Sequence, residues 1–354
     1  MAQASSGAVS GHLYCADTHA PCRFGTVSIQ SAPPAKADSG PPVHGDGRSY
    51  SAATDMDGAF QIGDVPPGDY YILGRFAGYI SPYDVLVNES KDTVSLNSPG
   101  LGYALNRITV DAGRTTVSDL TMNRGGTLEG VVVYDDGSPA VNLPTHLFRK
   151  DAEGHWKFYT NSSGNSSLAT LGMSDAQTDD RGRFYYPGLP PGTYTVEASL
   201  REYTFLPGTI VGRQSLEVKV TKGDALGVYF GNKYRQREAA AIELRGSEDH
   251  SGVDITMAVV GLHTVRGTVT AKADGSSIKH GTVRLLDPED KTKLRETEIQ
   301  SGSFLLHYVA SGSYLVEVNA AGSKDAGAYE GMTAALLVDG DVDDLAYALP
   351  ATPH

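Results

Sequence analysis

Apolar and polar positions alternate along short stretches of this chain, and turn residues separate the stretches. Phe60 and Ile62 share one face of such a stretch; in the next, Tyr70, Ile72 and Gly74 alternate with Tyr71, Leu73 and Arg75. A period of two puts successive side chains on opposite faces, so each stretch predicts a strand with one buried face. Pro66-Pro67-Gly68 lies between them. Proline presets φ and glycine supplies a positive φ, so the two strands are predicted to fold back as a hairpin. Helical periodicity is almost absent.

The same arrangement recurs. Thr54–Tyr79 reads TDMDGAFQIGDVPPGDYYILGRFAGY, Thr178–Leu200 reads TDDRGRFYYPGLPPGTYTVEASL, and Ile299–Gly322 reads IQSGSFLLHYVASGSYLVEVNAAG. Gly58, Gly182 and Gly302 align, as do Phe60, Phe184 and Phe304, then Gly68, Gly192 and Gly312, then Tyr70, Tyr194 and Tyr314. The offset is 124 between the first two copies (184 − 60) and 120 between the last two (304 − 184). Before each hairpin stands a strand with glycine third: VSGHLY from Val9, LEGVVVY from Leu128 and VRGTVTA from Val265. A further strand follows each of these: GTVSIQ from Gly25, NLPTHLF from Asn142 and GTVRLL from Gly281. A strand–turn–strand element closes each copy, at Ile108–Met122, Ile242–Val259 and Leu336–Leu349.

Six or seven short strands in roughly 100 residues is the pattern of a two-sheet sandwich. The predicted fold is all-β: three tandem antiparallel seven-stranded β-sandwich domains of Ig-like or prealbumin-like form, spanning 1–124, 125–260 and 261–354. The linkers, near 123–127 and 259–263, are brief, which predicts a stiff array.

An opening G-x-V strand, a T-D-x-x-G-x-F turn and a P-P-G-x-Y hairpin together resemble the carboxypeptidase regulatory-like domain family. The pattern is also similar to the Cna B-type and transthyretin-like folds. It covers nearly the whole chain. The third copy departs from it, with Ile299-Gln300 in place of Thr-Asp and Ala310-Ser311 in place of Pro-Pro. The resemblance implies a β-sandwich without enzymatic activity, in a family often classed with carbohydrate-binding-like folds. Some Cna B-type domains carry a Lys–Asn isopeptide bond; the opening strands Val9–Tyr14 and Leu128–Tyr134 contain no Lys, so the first two copies are expected to lack it. The transthyretin-like hydrolases carry a His/Arg cluster and a C-terminal Tyr-Arg-Gly-Ser stretch; this chain ends Leu-Pro-Ala-Thr-Pro-His. No enzymatic activity is expected.

Composition agrees with strands. The 41 Gly and 18 Pro among 354 residues exceed what a helical protein tolerates. A net charge of −13 argues against nucleic acid or an anionic membrane as the main partner. Cys15 and Cys22 have no zinc or redox spacing and fit a short-loop disulfide of an exported protein, with two free thiols as the alternative. Ala2-Gln3-Ala4 looks like the A-x-A end of a cleavage site, so the expectation is an exported chain whose signal segment has been replaced by Met1.

Insertions distinguish the copies. Ser31–Ala53 is Pro/Gly-rich and predicts a flexible loop; a second, from Arg149, holds the only tryptophan; a third runs from Arg201 to Ala241. They concentrate aromatics: Trp156, Phe158 and Tyr159 in the second, and Tyr203, Phe205, Tyr229 and Tyr234, with Arg235 beside them, in the third. Exposed aromatics stack on sugar rings or anchor protein interfaces; buried ones cover core or a contact between domains. The candidate ligand-binding residues are Trp156, Tyr159, Tyr203, Tyr229, Tyr234 and Arg235.

Other chemistry is sparse. Ser276-Ser277-Ile278-Lys279 matches S-x-x-K but lacks the K-T-G and S-D-N partners of a nucleophile site. Asp55, Asp57 and Asp64 resemble part of a calcium loop, but Ala53 stands where a carboxylate is wanted and Arg181 replaces Asp57 in the second copy, so a turn is expected. Asp339, Asp341, Asp343 and Asp344 are read as a solvated hairpin turn. No metal or cofactor is expected. The overall expectation is a secreted or cell-surface structural or adhesive repeat protein, with protein partners that include itself. The alternative is a carbohydrate-binding module that takes polysaccharide through the second copy's aromatics.

Overall fold

The computed structural model describes residues 6–32, 49–89, 106–160, 176–200, 226–320 and 329–352. Strands dominate them, and their buried apolar faces gather into three large clusters, beside a small one of Ala32 and Tyr71. Each large cluster with its strands is called a unit below.

The first unit holds β1 (Gly7–Cys15), β2 (Thr26–Ser31), β3 (Ser49–Ala53), β4 (Ala59–Val65), β5 (Gly68–Arg75), the helix α1 (Pro82–Glu89), β6 (Asn106–Val110), β7 (Thr115–Val117) and β8 (Leu120–Met122). One sheet runs β4-β1-β7 with β8 beside β1, and the other runs β3-β2-β5-β6. The core draws on both: Val9, Phe60 and Leu120 from one sheet meet Ile29, Ile72 and Val110 from the other.

The second unit holds β9 (Gly126–Tyr134), β10 (Pro144–Lys150), β11 (Trp156–Phe158), β12 (Ala176–Gln177), β13 (Arg183–Leu189), β14 (Gly192–Leu200), β15 (Leu226–Tyr229), β16 (Ile242–Leu244), β17 (Asp249–His250) and β18 (Ile255–Met257). Its sheets repeat the first plan: β13-β9-β17 with β18, and β11-β10-β14-β15 with β12 and β16. In the third unit, β19 (Leu262–Ala271), β20 (His280–Leu286), β21 (Lys293–Gln300), β22 (Ser303–Ala310), β23 (Gly312–Ala320), β24 (Met332–Val338) and β25 (Val342–Leu349) form one path, β24-β23-β20-β21-β22-β19-β25. Only Gln300 and Ser303 join β21 to β22, so the path bends there into the same two halves.

The repeated residues do the same work in each unit. Phe60, Phe184 and Phe304 are buried in their cores. Tyr70, Tyr194 and Tyr314 each donate their hydroxyl to the carbonyl four residues back, at Pro66 (2.8 Å), Pro190 (2.7 Å) and Ala310 (2.6 Å). That bond spans the hairpin turn and gives a buried phenol its acceptor. Thr54 and Thr178 are buried and tie loops across each core, donating to Cys22 O (2.6 Å) and Ala140 O (2.5 Å). The third unit has Ile299 at that place, almost fully buried, so packing replaces the hydroxyl tie.

The opening glycines have a steric cause. A Cβ on Gly11 would lie 2.0 Å from Ser118 O, on Gly130 2.1 Å from Val253 O, and on Gly267 2.4 Å from Leu345 O. The closing strand passes over the opening strand at that point and needs the space. There it also departs from the antiparallel expectation, because β7 and β8, β17 and β18, and β25 all run parallel to the opening strand. In the first two units the closing strand breaks at an aspartate. Asp119 accepts the His12 amide (2.8 Å) and Asp254 the Val131 amide (3.0 Å), bonds a continuous ladder would make with backbone carbonyls.

Candidate functional site

The residues singled out by sequence separate into three groups. Tyr203 and Phe205 lie outside the described residues. Tyr159 is core: it is 4% exposed and its ring meets that of Tyr194 edge-on at 5.7 Å. The reading of Tyr159 as an exposed ligand-binding aromatic is therefore corrected. It follows β11 with the phase of the buried face, and its amide bonds Leu147 O.

Trp156 and Phe158, which lie in the insertion from Arg149, stand on a strand. Asp151 accepts the amides of Glu153 (3.1 Å) and His155 (2.8 Å), which turns the chain so that β11 pairs antiparallel with β10. Trp156 is half-buried, with the Lys150 ammonium 4.9 Å from its ring. Phe158, Phe148 and Tyr229 form a row across the sheet with ring centres 5.9 Å apart. Beside the row, His146 Nδ1 sits 3.1 Å from Glu197 Oε2. Burial and then the neighbouring Glu197 carboxylate push the Tyr229 phenol well above its ordinary range, so it stays protonated.

Tyr229, Tyr234 and Arg235 converge where the second unit meets the third. They line a cleft with Lys293 and Tyr308 of the third unit. Tyr234 donates to Ala258 O (3.3 Å). The Arg235 guanidinium lies over the Tyr314 ring at 4.6 Å, donates to Ser313 O (2.9 Å) and sits 3.3 Å from Asp287 Oδ2. Arg237 reaches the same carboxylate from Nε (3.2 Å) and Glu289 from Nη1 (2.7 Å). Asp287 is 1% exposed. Burial opposes its charge, but the Glu289 amide and the two guanidiniums outweigh that and hold its pKa below the usual carboxylate range. These cations are therefore engaged within the protein, and the arrangement works as a joint.

The first and second units are joined as closely. Gly125 N donates to Gly78 O (3.0 Å) and Ile80 N to Asn123 O (2.8 Å). Tyr79 is buried between them, with Arg124 5.7 Å from its ring and its hydroxyl donating to Asp17 (2.9 Å). Asp17 sits in the loop closed by the Cys15–Cys22 disulfide, so the disulfide expectation is met and the closed loop carries a junction contact. Asn88 of α1 reaches the second unit, where its amide both donates to Thr160 O and accepts from Thr160 N, each at 2.8 Å.

Position rather than residue type marks the joints. Asp64, Gly188 and Tyr308 occupy the same bulge in β4, β13 and β22, all with positive φ. Gly188 alone must be glycine, since a Cβ there would fall 2.7 Å from Tyr79 O across the junction. Sequence reasoning missed Tyr79, Asn88, Arg237 and Asp287: Tyr79 closes the first repeated segment, Arg237 lies in the Arg201–Ala241 insertion, and Asn88 and Asp287 stand outside both.

Asp55 forms the expected turn, since its Oδ1 accepts the amides of Asp57 and Ala59, both at 2.9 Å. Asp179 does the same with Arg181 and Arg183 in the second unit. Among the described residues no group of three or more His, Cys, Asp or Glu could hold a metal ion, and no helix is long and apolar enough to cross a membrane.

No family model and no curated protein matches the chain. Among solved structures, the Bacillus anthracis TIE protein aligns at 15% identity over 98% of this chain and 51% of its own, with a TM-score of 0.21. This chain thus spans about half the length of that protein. A streptococcal ancillary pilin aligns at 11% identity over 98% of this chain and 100% of its own, with a TM-score of 0.29. A putative carbohydrate binding protein of Pseudomonas aeruginosa aligns at 18% identity over 34% of this chain and 90% of its own, with a TM-score of 0.20. Scores this low do not establish a shared fold, and the sandwich architecture stands on the chain's own strand pairing and cores.

Proposed function

We propose that this chain is a non-enzymatic, stiff spacer or scaffold that works outside the cell or at its surface, built from three carboxypeptidase regulatory-like sandwiches spanning 1–124, 125–260 and 261–354. The observation that carries the reading is that both junctions are bonded. The first uses Tyr79, Arg124 and the Asn88–Thr160 pair; the second uses Arg235 and Arg237 on Asp287. Short linkers with several cross-junction bonds remove the hinge that tandem modules otherwise have. The disulfide supports an oxidising compartment. Three of the aromatic and cationic residues that could have received a ligand, Tyr229, Tyr234 and Arg235, are drawn into the second joint.

Small-angle scattering on the intact chain tests this. The expected curve fits one rigid arrangement, and Asn88→Ala combined with Arg237→Ala broadens it into an ensemble. A wild-type curve that already requires an ensemble would overturn the spacer reading. Saturable polysaccharide binding lost in Trp156→Ala would replace it with the carbohydrate-binding one.

A further inference from the structure

The outer strands of the sheets differ in how they resist pairing with another chain. β25 carries Asp343 and Asp344, the latter at a φ of 66°, so charge and a left-handed residue protect that edge. β13 contains Pro187, and β6 presents Arg107. β24 has no such device. It reads Met-Thr-Ala-Ala-Leu-Leu-Val, without charge, proline or glycine, and among the described residues only β23 pairs with it. Thr333, Ala335 and Leu337 point outward and are exposed, Leu337 to 64%. Met332, Ala334 and Leu336 face the core but stay half exposed, because the sheet ends there. A bare apolar edge of this kind is a template for a further strand.

We propose that β24 pairs antiparallel with β24 of a second copy of this chain, about a two-fold axis through Ala335, and so joins two third-unit sheets into one. The sequence around the strand selects this occupant. About that axis Met332 faces Val338, Thr333 faces Leu337, and Ala334 faces Leu336. The flanking acids Glu330 and Asp339 face Gly340 and Gly331, so no carboxylate meets a carboxylate directly. The two alanines, Ala334 and Ala335, fall at the centre, and Gly331 and Gly340 at the ends, so no bulky side chain crowds the axis. An isologous contact satisfies both free edges at once and closes, which gives a dimer and stops there. One strand pair buries less than a standard interface, so the dimer is weak, with a Kd on the order of micromolar or above. The net charge of −13 on each copy opposes the encounter, so added salt tightens it. The pairing does not depend on the spacer reading.

Sedimentation equilibrium of the full chain across a concentration series tests the proposal. The expected result is a monomer–dimer equilibrium that shifts toward dimer with salt. Thr333→Lys combined with Leu337→Lys puts lysine opposite lysine twice across the axis and is expected to weaken the dimer about tenfold or more. Thr333→Glu combined with Leu337→Lys puts opposite charges at the same two places and restores it, now with salt weakening it. Both variants alter exposed side chains, and unchanged melting curves establish that they fold. A wild-type monomer at every concentration, a dimer indifferent to the double lysine variant, or assembly beyond two copies would each overturn the proposal. Scattering of the monomer reports on the spacer reading separately.

Discussion

At the scale of single residues, the recurring positions divide into those that shape the backbone and those that tie it. Gly130 has no room for a side chain, because Val253 O occupies the place of its Cβ. Gly130→Ala is expected to destabilise the chain by about 2–3 kcal/mol, read as a shift of the denaturant midpoint, since the clash is with backbone that cannot rotate away. Replacing both Cys15 and Cys22 by serine removes a short covalent loop. A loss of about 2–3 kcal/mol follows from loop entropy alone, and the Asp17 contact to Tyr79 loosens with it. Reduced and oxidised wild-type protein, melted side by side, should differ by the same amount; equal melting temperatures would refute the assignment.

At the scale of elements, the hairpins were legible because Pro-Pro-Gly and the alternation of Phe60 with Ile62 act locally. The edge strand β11 was not, because its pairing with β10 depends on the Asp151 turn inside the insertion from Arg149. The second joint belongs to this scale too. Asp287 has a lowered pKa in the folded chain, so its stabilising effect is present above the unfolded value and is lost as pH falls through the folded one. Below about pH 4 the joint is expected to loosen while the sandwiches persist, seen as a scattering curve that broadens into an ensemble while the circular dichroism of the strands is unchanged. Asp287→Asn should loosen it at neutral pH, by about 3 kcal/mol, and remove the acid step, because two guanidiniums then lack their buried counter-charge.

At the scale of the whole molecule, the alternating pattern and the aligned Gly, Phe, Gly and Tyr positions determined a great deal. They specified strands, the hairpin turns, which faces are buried and the all-β class, because strand periodicity and turn chemistry depend on neighbours in sequence. Tertiary structure alone decided the rest. It set the closing strands parallel to the opening ones, buried Tyr159, and turned Tyr229, Tyr234 and Arg235 from candidate ligand contacts into a joint with the third unit. It also left β24 bare while β25 is protected. Each of these depends on which distant segment arrives beside a residue. Arg235 and Asp287 are 52 positions apart (287 − 235), and nothing in either residue's own neighbourhood announces the other.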